Sequence, residues 1–258
     1  ALVVVGGVST AQAEDFPPVT DAERAITAVA GSPNAPAVIL FKRGELRMPH
    51  PSATPVISVL EVAVRKKILT AEGLDEGTVQ LVHSGFTRLR GFEGRTVMAD
   101  GTVVPLPKDA SFVTTTSKAR RTFVTSVAFP RVEVGAILDY RFALYWDGFS
   151  FLEPWHFAEM VPVVHSEITY HVPGGVVVSV LGLGPGADAV KSEQRTEIKG
   201  STIHAWAANL RALPDEPFSA PSRDFSPRMM IVPLRVHGYG PPIHLLESWS
   251  TACELYEV

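Results

Sequence analysis

GRTVMADGTVVPLPKDASFVTTTSKARRTFVTSVAFPRVEVGAILDYRFAL, residues 94–144, decides the fold. Asp100-Gly101 separates two β-rich runs. That dipeptide is a hairpin signal, because a type I′ turn needs positive φ at both central residues. A strand over 120–129 then leads through a tight turn at 130–135 into a second long strand. There Leu138, Tyr140, Phe142 and Leu144 fall on one face, and Ile137, Asp139, Arg141 and Ala143 on the other. A period of two with one polar face predicts a half-buried strand. The stretch carries shape and no chemistry.

Working outward, β signals dominate. Residues 57–69 place Leu60, Val62, Val64 and Ile68 on one face. Glu61, Arg65 and Lys67 take the other, which predicts solvation on one side. Further strands are expected at 37–41, 78–82, 88–91, 95–98, 156–160, 163–172, 176–183, 195–199 and 202–206. A tight turn is expected at Gly200-Ser201. No long helix separates consecutive strands, which argues against a parallel βαβ sheet. The reading is all-β: a large antiparallel β-sandwich of two large sheets over 37–212, with a short N-terminal helix and a proline-rich C-terminal extension.

The ends differ in character. Residues 1–13 resemble the remnant of a secretory signal, an apolar run closing on Ala11-Gln12-Ala13, so the mature protein is expected to begin at Glu14 and to be exported, periplasmic or extracellular. No segment approaches the ~20 apolar residues of a membrane helix. Residues 14–36 form a lead-in with a short helix, signalled by the Thr20/Glu23 capping-box pair. Residues 213–243 carry Pro214, Pro217, Pro221, Pro227, Pro233, Pro241 and Pro242 and are expected to be a linker. Residues 244–258 recover helical spacing through Leu245, Trp249, Ala252 and Tyr256, which suggests the start of a helix belonging to a downstream domain.

Composition excludes several classes. A net charge of −4 gives no electrostatic footprint for nucleic acid. Cys253 is the only cysteine, so no intrachain disulfide can form. His165 and His171 share a strand face but lie ~20 Å apart, too far to share a metal. Gly182, Gly184 and Gly186 mimic a phosphate loop, but Pro185 stands where a helix would have to start, so a strand connection is expected. Asp147, Glu153 and Glu159 are carboxylates with no readable spacing for glycosidase chemistry. All eight histidines precede Cys253, the reverse of the Cys-His-Asp order of transglutaminase-type enzymes. The reading therefore assigns no catalytic residue, no cofactor and no metal. The one candidate ligand surface is aromatic: Tyr145, Trp146, Phe149 and Trp155, which at an exposed hairpin tip could stack on a sugar or meet a partner, although packing in the sandwich core is the favoured reading.

Five stretches together resemble a known family. They are VRKKILTAEG (64–73), GRTVMADGTVVPLPKD (94–109), FPRVEVGAILDYRF (129–142), VPVVHSEITYHVP (161–173) and LRALPDEPFSAPSRDFSPRM (210–229). Their order and spacing are similar to the domain of unknown function that sits amino-terminal to a transglutaminase-like core in many exported bacterial proteins. The resemblance runs from about Asp21 to about Pro227. It implies a β-sandwich or supersandwich, an envelope location and a downstream transglutaminase-like or cysteine-protease-like domain, and it carries over no catalytic residue. The expected function is a non-catalytic module that positions that core or binds a polypeptide or cell-envelope polymer. The alternative is a carbohydrate-binding module using the aromatics around Trp146 and Trp155.

Overall fold

Strand β8 (Ile137–Asp147) alternates as its sequence requires, and the large sheet is built around it. The computed structural model describes residues 16–117, 122–149, 152–214, 221–238 and 240–245. In eight-strand order this sheet runs β12 (Lys191–Glu197), β13 (Gly200–Leu210), β10 (Val163–Pro173), β1 (Ala37–Arg47), β2 (Ile57–Ile68), β8, β4 (Thr87–Val97), β5 (Val103–Pro105). Neighbours are antiparallel except β1 and β10, which run parallel. A three-stranded sheet has the order β3 (Thr78–Ser84), β7 (Thr122–Ala128), β6 (Ser111–Ser117). In a four-stranded sheet, β14 (Arg228–Val236) pairs with β11 (Val176–Leu183), β15 (Ile243–His244) and β9 (Trp155–His156). The all-β reading holds, with one large and two small sheets in place of two large ones.

One core joins all three sheets. Leu60, Val62, Val64, Leu138, Tyr140, Phe142 and Ile168 from the inner face of the large sheet cluster with Val79 and Val127 of one small sheet and Met229 and Ile231 of the other. The opposite, outer face of the large sheet is solvated over much of its area. At one end it is covered. Val38, Leu40, Val97 and Ile137 form a second cluster there with Val19, Ile26 and Val29 of the lead-in. This cover corrects the one-sided reading of β2 and β8. Arg65, Lys66 and Lys67 are all buried, and so is Asp139. Lys66 sits on the apolar side, in register with Leu138 and Ile39.

The lead-in is held by charge. Helix α1 (Asp21–Ala25) carries the expected capping box, with Thr20 N–H donating to Glu23 Oε2 (2.7 Å) and Glu23 N–H to Thr20 Oγ1 (3.2 Å). Cross-strand register sets Arg65 of β2 and Arg95 of β4 on either side of Asp139. Arg65 Nε lies 2.7 Å from Asp139 Oδ1, and Arg95 Nε 2.9 Å from Asp139 Oδ2. Arg65 Nη1 also reaches Glu23 at 2.9 Å and the Pro18 carbonyl at 3.3 Å, while Arg95 donates to the Pro17 carbonyl at 2.9 Å. The Phe16 ring packs beneath Arg95 and Arg141.

Three turns differ from expectation. The Asp100-Gly101 hairpin forms, joining β4 to β5, but Gly101 alone has positive φ (+90°). Gly101 N–H bonds to the Met98 carbonyl at 2.9 Å, giving a three-residue loop closed by glycine in place of a type I′ turn. Gly101→Val is still expected to cost ~1–2 kcal/mol, because a β-branched residue resists that φ. An unchanged urea midpoint would contradict it. The 130–135 turn does not pair its flanking strands: β7 belongs to the three-stranded sheet and β8 to the large one. The β12–β13 turn falls at Ile198 and Lys199, since Glu197 already pairs with Gly200.

The expected linker is also corrected. Within 213–243, β14 is a nine-residue strand whose Met229, Ile231 and Val236 are buried. Pro233 is tolerated beside a bulge, where the β11 partner shifts between Val177 and Val178. His244 lies in β15 and the Leu245 N–H bonds to the Leu234 carbonyl at 2.8 Å, so the expected helix does not begin there; its residues 246–258, with Cys253, lie outside the described residues, as do the expected signal residues 1–13 and Pro217.

Candidate functional site: two faces of one sheet

The aromatic surface read from the sequence does not assemble. Trp146 and Trp155 are 1% and 4% exposed. Strand β8 runs on to Asp147, so Trp146 continues the inward series of Leu138, Tyr140, Phe142 and Leu144. Trp155 lies against Gly44, where a Cβ would sit 2.6 Å from its ring, and its indole N–H donates to Ser166 Oγ at 3.1 Å. Phe149 packs against the core. Buried indoles cannot stack on a sugar, so the carbohydrate-binding alternative is withdrawn. Of the four aromatics, Tyr145 takes the outer face, opposite Arg88 and Val59.

That outer face carries a trough of about 640 Å³. Register builds it in rows. One runs Glu167–Arg43–Ala63–Arg141–Glu93 across β10, β1, β2, β8 and β4. The next runs His204–Thr169–Glu45–Glu61–Ala143. Ala63 and Ala143 keep the floor low while long charged side chains form the walls. The walls are cross-linked: Arg43 to Glu167 at 2.7 Å, Arg141 to Glu93 at 2.6 Å, and Arg47 between the like charges Glu45 and Glu61. His165 and His204 approach Glu167 at 3.0 and 3.3 Å, and His171 approaches Glu45 at 2.6 Å. Burial works against the charge on Glu167, but the His165 hydrogen bond and Arg43 hold its carboxyl below the usual range. Opposite charges facing across strands each add a few tenths of a kcal/mol, up to ~1. Such a face stays ordered and polar. Sequence reading missed it because these residues are far apart in the chain and meet only through register.

On the inner face, a cavity of about 530 Å³ lies between β3, the 152–161 segment and the floor formed by β1, β2 and β8. Lys42 projects into the apolar side, donating to the His156 carbonyl at 2.8 Å and pairing with Glu159. Burial opposes the charge on Glu159, and Lys42 holds its carboxyl below the usual range. Lys66 pairs with Glu76 at 2.6 Å. Burial, followed by the charges of Arg223 and Lys42, pushes His156 down to about 4. Burial raises the Glu153 carboxyl. His156 Nδ1 and His83 Nδ1 are buried without a hydrogen-bond partner. The three carboxylates considered from sequence are thus divided: Glu153 and Glu159 line this cavity, while Asp147 is exposed and bidentate to Arg88 at 2.8 Å. Gly182, Gly184 and Gly186 make a strand connection, as expected. Among the described residues no cluster of His, Cys, Asp or Glu could hold a metal, and no helix is long and apolar enough to cross a membrane.

An eight-stranded sheet packed on its inner face by two smaller sheets, and covered on its outer face only where the lead-in lies, makes this an all-β domain. Residues 58–214 match the family described as Domain of Unknown Function DUF3857, and the chain belongs to that family. Among solved structures it is similar to "a putative protease" from Parabacteroides distasonis, with 17% identity and a TM-score of 0.63, covering 76% of this chain and 40% of that one. It also aligns with an M1 zinc metallopeptidase from Deinococcus radiodurans at 12% identity and a TM-score of 0.34, over 76% of this chain and 43% of the other. The chain thus spans about two fifths of the length of these proteins. No curated protein matches it.

Proposed function

We propose that this chain is a non-catalytic β-sandwich module of an exported, transglutaminase-like protein, and that its outer face positions the downstream domain of the same polypeptide. The observation that carries the reading is the charged trough. Its ion pairs sit in ordered cross-strand rows over small alanines, while three of the four aromatics that could have made a ligand platform pack into or against the core. Two findings support it. The family is described only as a domain of unknown function, and the similar protein from Parabacteroides distasonis is far longer than this chain. The protease description of that protein fits a cysteine-protease-like or transglutaminase-like partner domain. Binding of a separate polypeptide or an envelope polymer is the second reading. It is favoured by β12, which ends the large sheet among the described residues and whose seven residues are all exposed.

Arg43→Glu combined with Arg141→Glu in the longer protein tests the main reading. Each reversal strips a cross-strand pair and sets a glutamate opposite Glu167 or Glu93, at up to ~1 kcal/mol per pair. The double variant is therefore expected to stay folded with a modestly lowered unfolding midpoint while the two domains separate in small-angle scattering. An unchanged scattering profile sinks the docking claim. Robust, metal-independent turnover of peptide and amine substrates by the isolated chain would sink the non-catalytic one.

A further inference from the structure

We propose that two copies of this chain associate through β12, edge to edge and antiparallel, with Gln194 at the two-fold axis. Among the described residues β12 ends one side of the large sheet, and all seven of its residues, Lys191–Glu197, are exposed. Its register with β13 runs without a shift, and it holds no proline. A regular strand with one unpaired side is a template for another strand.

The direction of its backbone groups follows from the turn beside it. Gly174 N–H bonds to the Lys199 carbonyl at 2.8 Å, which makes Pro173–Gly200, between β10 and β13, a non-hydrogen-bonded pair. Gly200 therefore turns its own N–H and C=O to Glu197 of β12. Alternation then aims the backbone groups of Glu197, Arg195, Glu193 and Lys191 at β13, and those of Thr196, Gln194 and Ser192 away from the sheet. Side chains alternate as well. Glu193 stands in register with His204 of the outer trough, so the four charged residues share the outer face.

The segment KSEQRTE is complementary to itself in charge when reversed. An antiparallel second copy centred on Gln194 sets Gln194 opposite Gln194 and Ser192 opposite Thr196. These residues carry the outward backbone groups, so each such pair exchanges two backbone hydrogen bonds. Between them fall the closer, non-hydrogen-bonded pairs, Glu193 opposite Arg195 and Lys191 opposite Glu197, and both unite opposite charges. Within one chain Arg195 meets Glu193 only loosely, at 3.6 Å on exposed side chains, and Glu193 lies 3.9 Å from His204. Neighbouring registers are penalised. A slip of two residues sets Arg195 against Arg195 or Glu193 against Glu193, and parallel in-register pairing opposes every charge to its own kind. The charges that blunt this edge toward other strands thus select its own copy. The same register brings the turn residue Ile198, 104% exposed, beside Val190 of the second copy. The contact is independent of the outer-face docking reading.

The test is sedimentation equilibrium of the chain from micromolar to millimolar concentration. An edge contact is small, so reversible dimerisation is expected with a dissociation constant on the order of 10–100 µM. Gln194→Pro removes an outward N–H that β13 does not use; it should keep the fold and weaken dimerisation at least tenfold. Glu193→Arg with Glu197→Arg makes the edge wholly basic, and Lys191→Glu with Arg195→Glu makes it wholly acidic. Each of these double variants alone should be monomeric, and an equimolar mixture should form a one-to-one dimer. All of these side chains are exposed, and a folded amide spectrum is the control for each variant. If Gln194→Pro does not fold, the charge variants decide. A chain still monomeric at about 1 mM would overturn the proposal. So would a dimer indifferent to the β12 variants, or a mixture of the two folded charge variants that stays monomeric. Capture of an unrelated extended peptide at β12 by a chain that does not dimerise would likewise overturn it.

Discussion

Asp139→Ala is expected to destabilise the domain by about 3–5 kcal/mol, the usual cost of stripping one partner from a buried ion pair. Asp139 is 1% exposed and Arg65 2%. Removing the carboxylate leaves Arg65 buried with Glu23 as its remaining acidic partner, and frees Arg95 from its anchor. A domain holds only about 5–15 kcal/mol in total, so the loss should be plain in a urea titration. Replacing Arg65 and Asp139 together by leucine should cost less than Asp139→Ala, because the charges then left without this partner, Arg95 and Glu23, are only partly buried. The same network makes the lead-in acid-sensitive. Burial raises the Glu23 carboxyl, but hydrogen bonds from Thr20 and Arg65, with the Arg65 charge, bring it below its ordinary 4.5. A carboxylate held low in the fold stabilises above its unfolded value, and that stability is lost as pH falls through the folded one. Hydrogen-exchange protection factors in 16–25 should therefore fall below about pH 4.5, ahead of those in β8 and β10. Simultaneous loss in all three would contradict the charge-held lead-in.

Trp146→Ala should cost about as much, ~3–5 kcal/mol, by leaving a cavity beneath β8. Trp146→Phe should cost distinctly less, since most of the ring volume is kept. The neighbouring Arg88→Ala, on an exposed bidentate pair with Asp147, should scarcely move the midpoint. The pattern separates a core tryptophan from a binding tryptophan. A Trp146→Ala variant of native stability would return the residue to the surface.

Strand β8 was legible because its hydrophobic alternation is unbroken from Ile137 onward. One further step of the same alternation reaches Trp146 and would have placed it inside. The aromatic cluster at 145–151 also resembles an exposed hairpin tip, which is why a surface alternative stands beside the favoured core reading. Strand β14 was hidden by Pro227 and Pro233, which read as breakers in one dimension. In the sheet, Pro233 falls next to a bulge and loses little pairing. Burial of Arg65 and Asp139 could not be read from strand pattern at all. It depends on the lead-in folding back over the sheet, roughly 40 residues upstream of Arg65 and far further from Asp139 in sequence. The outer trough was illegible for a related reason. Each of its charges is unremarkable alone, and only register between strands as distant as β1 and β10 sets Arg43 beside Glu167. The inner cavity was illegible as well: Lys42 and Lys66, which line it, find Glu159 and Glu76 only through the fold.

Hydroxyl-radical footprinting of the isolated chain and of the longer protein tests the central claim most directly. If the outer face positions the downstream domain, Tyr145, His165, His171 and His204 should lose labelling in the longer protein. Phe86 and Phe112, exposed at 68% and 59% at the three-stranded sheet, should label equally in both. Equal labelling of the outer-face residues, with protection appearing at Phe86 and Phe112, would contradict the account and move the interface to the small sheet.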